Sequence, residues 1–279
     1  MRTRTTDRGR LARRAAVRCV ASIAGGCQYL GRLDAAERLL EVALRFSPEP
    51  DAQRIAILNR LGVVLKTNGR YDDAEACYAQ VHAALYSSPA SPDDRAVLHH
   101  NLAGLAYACG DYERAEREIR TALAMPGRSA ADRAPDKGLL GAVLAARGQP
   151  EEARAVLERV LAEMEHMHGP SHYEVAVVLQ NLAALAQHRD PLHSQQLYER
   201  ALGIKQRRLG STHPEVGIIL NNLAMLHLQQ ERNQAALEHC TQAQAILRRR
   251  YGTDHPATQR CELNFRRISE LASGRGAPT

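Results

Sequence analysis

Small and apolar residues recur along this chain in steps of three and four, the spacing that keeps side chains on one face of a helix. A small residue sits mid-pattern at Ala24, Gly62, Ala103, Gly141, Ala183 and Ala224. Twelve residues further on a second small residue follows: Ala36, Ala74, Ala115, Ala153 and Ala236, with Ser194 in the fifth unit after a one-residue deletion. Four residues later stands a larger, mostly apolar one: Leu40, Tyr78, Ile119, Leu157, Tyr198 and Cys240. Three beyond that are Ala43, Val81, Ala122, Val160, Ala201 and Ala243. The pattern predicts six units of two antiparallel helices, with small residues where the two helices touch and larger ones filling the gap to the next unit.

A turn separates the two small columns. It reads Leu30-Gly31-Arg32-Leu33-Asp34, Asn68-Gly69-Arg70-Tyr71-Asp72, Cys109-Gly110-Asp111-Tyr112-Glu113 and Arg147-Gly148-Gln149-Pro150-Glu151. Glycine ends the first helix in a left-handed conformation that it adopts cheaply. Acidic residues open the second helix, where its dipole favours them. In the fifth unit His188-Arg189-Asp190-Pro191 replaces the glycine turn, so that hairpin is expected to differ. The boundaries between later units also repeat: Gly169-Pro170-Ser171-His172, Gly210-Ser211-Thr212-His213-Pro214 and Gly252-Thr253-Asp254-His255-Pro256. The three histidines are 41 and 42 residues apart, the kind of fixed period that marks a helical repeat array.

This pattern resembles the tetratricopeptide repeat. The long period, and the G-x-x-H-P boundary followed by Leu220-Asn221-Asn222-Leu223-Ala224, look like its kinesin-light-chain class. The resemblance covers roughly residues 19 to 270. It implies an all-α, right-handed superhelical solenoid of about six helix pairs, with residues 255–272 as a last, capping helix. The expected organisation is an arginine-rich, partly disordered segment over 1–18, a solenoid over 19–272 and a disordered tail over 273–279.

One place ahead of the residue that precedes the first small column stand Asn101, Asn181 and Asn222, with Arg60, Ser22 and Leu139 in the other units. Asparagine is a mediocre helix former, so three in register invite a reason. Its amide offers one acceptor and two donors, which match the C=O and N–H of an extended chain. The resemblance places these residues on the first helix of each pair, facing a concave groove, and in relatives that bind extended peptides an asparagine here grips the ligand backbone. The expected peptide-binding set is Arg60, Asn101, Asn181, Asn221, Asn222 and Gln229. The alternative is that these amides bond the neighbouring helix. Leu139 breaks the ladder, and Pro135 is expected to shorten the helix before it.

His172, His213 and His255 read as helix entries, where an imidazole can bond free backbone amides. His166, His168 and His172 do not complete a tetrahedral ligand set, so no metal and no cofactor is expected. No G-x-S-x-G, H-E-x-x-H, P-loop or dinucleotide fingerprint occurs, and no enzyme is expected.

Composition changes this picture little. The net charge of +6 owes much to seven arginines in the first 18 residues. No aromatics interleave with them, so nucleic acid is not the expected partner. Six cysteines form no C-x-x-C pair, and most are read as small helix-core residues in a reducing, cytoplasmic setting. Three lysines against 34 arginines suggest a high-GC, bacterial coding sequence. No run approaches the ~20 apolar residues of a membrane span. The expected function is a scaffold or adaptor that binds an extended protein or peptide segment in its groove, with a peptide- or ligand-responsive regulator as the rival reading and an enzyme using the groove as the third. The oligomeric state is not legible.

Overall fold

The structure, a computed structural model, describes residues 2–47, 52–87 and 91–272, with side chains from Leu11 onward. The chain divides into two compact units, Met1–Gly127 and Arg128–Thr279. The first holds α1 (Arg2–Tyr29), α2 (Leu33–Phe46), α3 (Ala52–Thr67), α4 (Tyr71–Ser87), α5 (Pro92–Ala108) and α6 (Tyr112–Ala124). The second holds α7 (Ala130–Ala146), α8 (Pro150–His168), α9 (Tyr173–Ala186), α10 (Pro191–Leu209), α11 (Pro214–Gln229), α12 (Asn233–Tyr251) and α13 (Pro256–Ala272). Among the described residues there is no strand. Consecutive helices pair as hairpins, three in each unit, and α13 packs on the last pair. Both units have the stacked-pair build of an all-α superhelical solenoid.

The four columns read from the sequence are the core of every pair. Ala36, Ala74, Ala115, Ala153, Ser194 and Ala236 are fully buried, and so are the residues of the two columns that follow. The contact between columns is direct. A Cβ built on Gly62 would come to 2.4 Å from the Tyr78 ring, and one on Gly141 to 2.5 Å from Leu157. Ser194 turns its hydroxyl onto the Ala183 carbonyl at 2.8 Å, which satisfies the one polar member of its column. The Tyr78 hydroxyl has no hydrogen-bond partner among the described residues, and burial pushes its phenol pKa up.

The glycine turns close as expected. At Gly31, Gly69, Gly110 and Gly148 φ is positive, and each turn has the paired C-terminal hydrogen bonds of a Schellman motif, such as Gly69 N–H to Lys66 and Arg70 N–H to Leu65. Two turns manage without glycine. In the sixth pair Glu231 takes the left-handed place at φ 58 and keeps both bonds. In the fifth, Arg189 and Asp190 both donate to the Ala186 carbonyl, and the Asp190 carboxylate caps α10 at the His193 N–H, 3.0 Å away.

α1 begins at Arg2 and carries the arginine-rich start into the first hairpin. One expectation is corrected. Pro135 does not shorten its helix: α7 runs through it, after a capping box at Ser129 and Asp132 fixes its start. Cys77, Cys240 and Cys261 are buried, but Cys19 and Cys109 are exposed. Residues 273–279, expected as a tail, lie outside the described residues.

The close contact at Gly62 predicts a sign. In an open helix Gly→Ala stabilises by about 1 kcal/mol. At Gly62 the new methyl meets a buried ring that has nowhere to move, and overpacking costs about 1–3 kcal/mol. Gly62→Ala should therefore lower the melting temperature. Gly26→Ala, on α1 with nothing within 4 Å, should raise it. Thermal unfolding of the two variants checks this.

Candidate functional site

The first helices of successive pairs lie side by side within each unit, and a set of side chains stitches them together. The residue in the asparagine column donates to the preceding first helix, three places before that helix's small residue. Arg60 Nη1 on α3 reaches the Ala21 carbonyl on α1 at 2.9 Å. Asn101 Nδ2 on α5 reaches Asn59 Oδ1 on α3 at 3.1 Å. Asn181 Nδ2 on α9 reaches the Gly138 carbonyl on α7 at 3.5 Å. Asn264 Nδ2 on α13 reaches Asn221 Oδ1 on α11 at 3.0 Å. The four bonds span 39 to 43 residues, which is one repeat. Gln187 and Gln229 add a further rung, 2.9 Å long, at the ends of α9 and α11.

Every residue of the expected set therefore lies on the first-helix face, but not in one role. Asn101 and Asn221 are buried and bond other asparagines, so the reading in which these amides bond the neighbouring helix applies to them. Arg60 and Gln229 are exposed and joined to neighbours. Asn181 is half-buried with one long bond. Asn222 is half-buried, and among the described residues its amide has no hydrogen-bond partner. It is the rung of the second unit that stays open. On its own helix Ile218, Met225 and Gln229 stand one to two turns away, and Asn181 holds the same place on α9.

In the first unit the corresponding face opens into a cleft of about 520 Å³ lined by Gln28, Asn59, Arg60, Val63, Asp94 and Val97, among others. Lys66 stands one turn beyond Val63. It lies against Gly104 of α5, whose missing side chain leaves it room, and burial lowers its pKa. Among the described residues its ammonium has no ion-pair partner.

Sequence reasoning missed Asn59 and Asn264. The signal was present, since Asn264 lies 42 residues after Asn222 and Asn59 lies 42 before Asn101. The histidines at the unit boundaries are helix entries: Nδ1 of His172, His213 and His255 accepts from the N–H two residues on, at 3.3, 3.2 and 3.1 Å. Among the described residues no three His, Cys, Asp or Glu side chains gather as metal ligands, and no helix is long and apolar enough to cross a membrane.

Sequence models of the tetratricopeptide repeat match residues 137–207, 189–249 and 215–265, and another matches 54–84. The chain belongs to the tetratricopeptide-repeat family. No curated protein matches its sequence. Among solved structures it is similar to a Rap protein complexed with Competence and Sporulation Factor, at 14% identity and a TM-score of 0.66, over 94% of this chain and 83% of the other. It is similar also to BtubC (BKLC) of P. vanneervenii, at 18% identity and 0.50, over 95% and 94%. A third is the set of nearly identical TPR-like repeats of kinesin-light-chain type from Podosopora anserina, at 22% and 0.50, over 69% and 96%. At these identities the likeness is one of fold.

The tetratricopeptide hairpin α11–α12 encloses a titratable group. His227 is buried, its ring 5.0 Å from that of His239, and its Nδ1 has no partner among the described residues. Desolvation first, then the charges of Arg232 and His239, hold its pKa below the ordinary 6.5. The folded chain therefore takes up this proton less readily than the unfolded chain does. Stability from this site is present above the unfolded pKa and is lost as pH falls through it. Between pH 7 and 5 the melting temperature of the wild type should fall more steeply than that of His227→Gln. Parallel slopes would contradict this.

Proposed function

We propose that this tetratricopeptide-repeat protein is a binding scaffold in which the first-helix face of the second unit takes an extended protein segment, its amides holding the segment's backbone. One observation carries the reading. In a row where other side chains are joined to the next helix, Asn222 presents a half-buried amide with no partner among the described residues. The Asn222 amide is reachable from solvent, and an extended chain offers the C=O and N–H that match its donors and acceptor. The neighbouring groups suit the same ligand. Asn181 keeps an N–H and its oxygen free of its single long bond, and Ile218 and Met225 offer apolar contact between the amides. The first unit, taken by itself, offers a different face: Arg60 and Lys66, with no carboxylate bound to either among the described residues, suit acidic groups.

A second reading, a peptide-responsive regulator, draws support from the likeness to the Rap protein, whose structure holds Competence and Sporulation Factor. It uses the same face and differs in what binding does afterwards.

The test separates binding amides from structural ones. Wild type, Asn222→Ala and Asn101→Ala serve as baits in a host lysate, with retained proteins quantified by mass spectrometry and each bait's melting temperature measured. Asn222→Ala should weaken partner binding by about 1–3 kcal/mol with its melting temperature unchanged. Asn101→Ala strips the buried Asn59 of its partner and should lose about 1–3 kcal/mol of stability instead. Undiminished retention by Asn222→Ala would place the partner elsewhere.

A further inference from the structure

Away from the amide face, the first unit holds a chain of hydrogen bonds that joins three helices. Tyr86 near the end of α4 meets His99 in the middle of α5, Oη to Nε2, at 3.1 Å. His99 Nδ1 meets Glu118 Oε2 on α6 at 2.7 Å. An ionised carboxylate can only accept, so Nδ1 carries the hydrogen. In the neutral imidazole Nε2 is then bare, and the Tyr86 hydroxyl donates to it. Three groups stand in the order acceptor, base and orienting carboxylate, each within hydrogen-bond reach of the next, which is the arrangement that activates a weak hydroxyl nucleophile.

The surroundings fix the phenol and leave it open. The His82 ring stacks on Tyr86 at 4.3 Å, and the Arg95 guanidinium stands over the same ring, 4.8 Å from its centre. Tyr86 is 47% exposed, whereas the side chains behind it are 12% exposed at His99 and 23% at Glu118. The relay runs inward from an exposed residue to two more buried ones. Arg95 Nε is buried without a hydrogen-bond partner among the described residues, and its guanidinium lies on the face of the Tyr86 ring. The other stacked histidines differ. His172 and His255 spend Nδ1 on a backbone N–H at a helix entry, and neither sets a carboxylate behind a phenol.

We propose that Tyr86 is a covalent acceptor site, taking an acyl group from an activated ester that carries a negative charge. The Tyr86 oxygen attacks the ester carbonyl carbon as its proton passes to His99 Nε2. The new Oη–C bond forms, the bond to the leaving oxygen breaks, and His99 returns the proton to that oxygen. Glu118 holds the imidazole in the required tautomer, and Arg95 draws the donor's anionic group. The product is an O-acyl tyrosine and a free alcohol or phenol, with no oxidation or reduction. One acyl group per chain would mark the first unit without touching the amide face.

The test uses the full chain with 4-acetoxybenzoate as the anionic donor and p-nitrophenyl acetate as the neutral one. Peptide mass mapping follows O-acetylation at each of the nine tyrosines over time. Tyr86 should react at least about tenfold faster than Tyr29, which is more exposed at 56%, a conservative share of the ~10²–10⁴-fold that general bases supply. His99→Gln keeps a hydrogen-bonding side chain but no base and should bring Tyr86 down to the Tyr29 rate, with helicity confirmed by circular dichroism. Arg95→Gln should slow only the anionic ester. Glu118→Leu should slow both esters, and Glu118→Gln, whose amide oxygen can still accept from Nδ1, should recover part of that loss. Equal rates at Tyr86 and Tyr29, or an undiminished rate in His99→Gln, would overturn the proposal.

Discussion

The contact on which this architecture rests is the close approach of two helices at a small residue. Where that residue is Gly62 or Gly141, no room exists for even a methyl group against Tyr78 or Leu157. Interaxial distance depends on the side chains at the crossing, so a run of Gly, Ala and Ser fixes it at a short and repeated value. Once the hairpins share one geometry, successive first helices fall at equal offsets. The rungs from Arg60, Asn101, Asn181 and Asn264 follow from that regularity, since each spans one repeat to the same place on its neighbour.

Joints between pairs are reinforced at both ends of the helices. At the turns, Arg70 pairs with Glu37, Arg114 with Glu75 and Arg189 with Glu151, and Arg232 donates to Gln195. At the unit boundaries, Arg208 reaches the Ser171 carbonyl and Arg250 the Thr212 carbonyl. Most of these groups are substantially exposed, and such pairs contribute little individually. Their effect is on register. Lys205 is different: buried, paired with Glu215 and set over the Tyr173 ring, it ties α9, α10 and α11 into one joint. Stability in such an array is a sum of hairpins and nearest-neighbour interfaces.

Much of this was legible in the residues. The four buried columns, the glycine turns and the histidine helix entries stand where their spacing put them, because each depends on local geometry repeated at a fixed period. What stayed hidden depends on context. Glu231 adopts a conformation that glycine prefers, because the two turn bonds outweigh the strain. Pro135 lies inside a helix whose start is fixed by a strong cap. Asn101 looked like a ligand-facing amide, and its partner Asn59 could be named only once the offset between first helices was known. The relay from Tyr86 joins three helices at unrelated spacings, so no periodicity could reveal it.

Within each unit some rungs of the first-helix face are closed by its own amides, whereas Asn222 in the second unit is open. Side-chain NH₂ exchange with solvent, measured by nuclear magnetic resonance with ¹⁵N labelling, reports each asparagine separately. In the free protein Asn101 should exchange slowly and Asn222 fast, with Asn264 also protected. Protection of Asn222 equal to that of Asn101, or fast exchange at Asn101, would contradict the account.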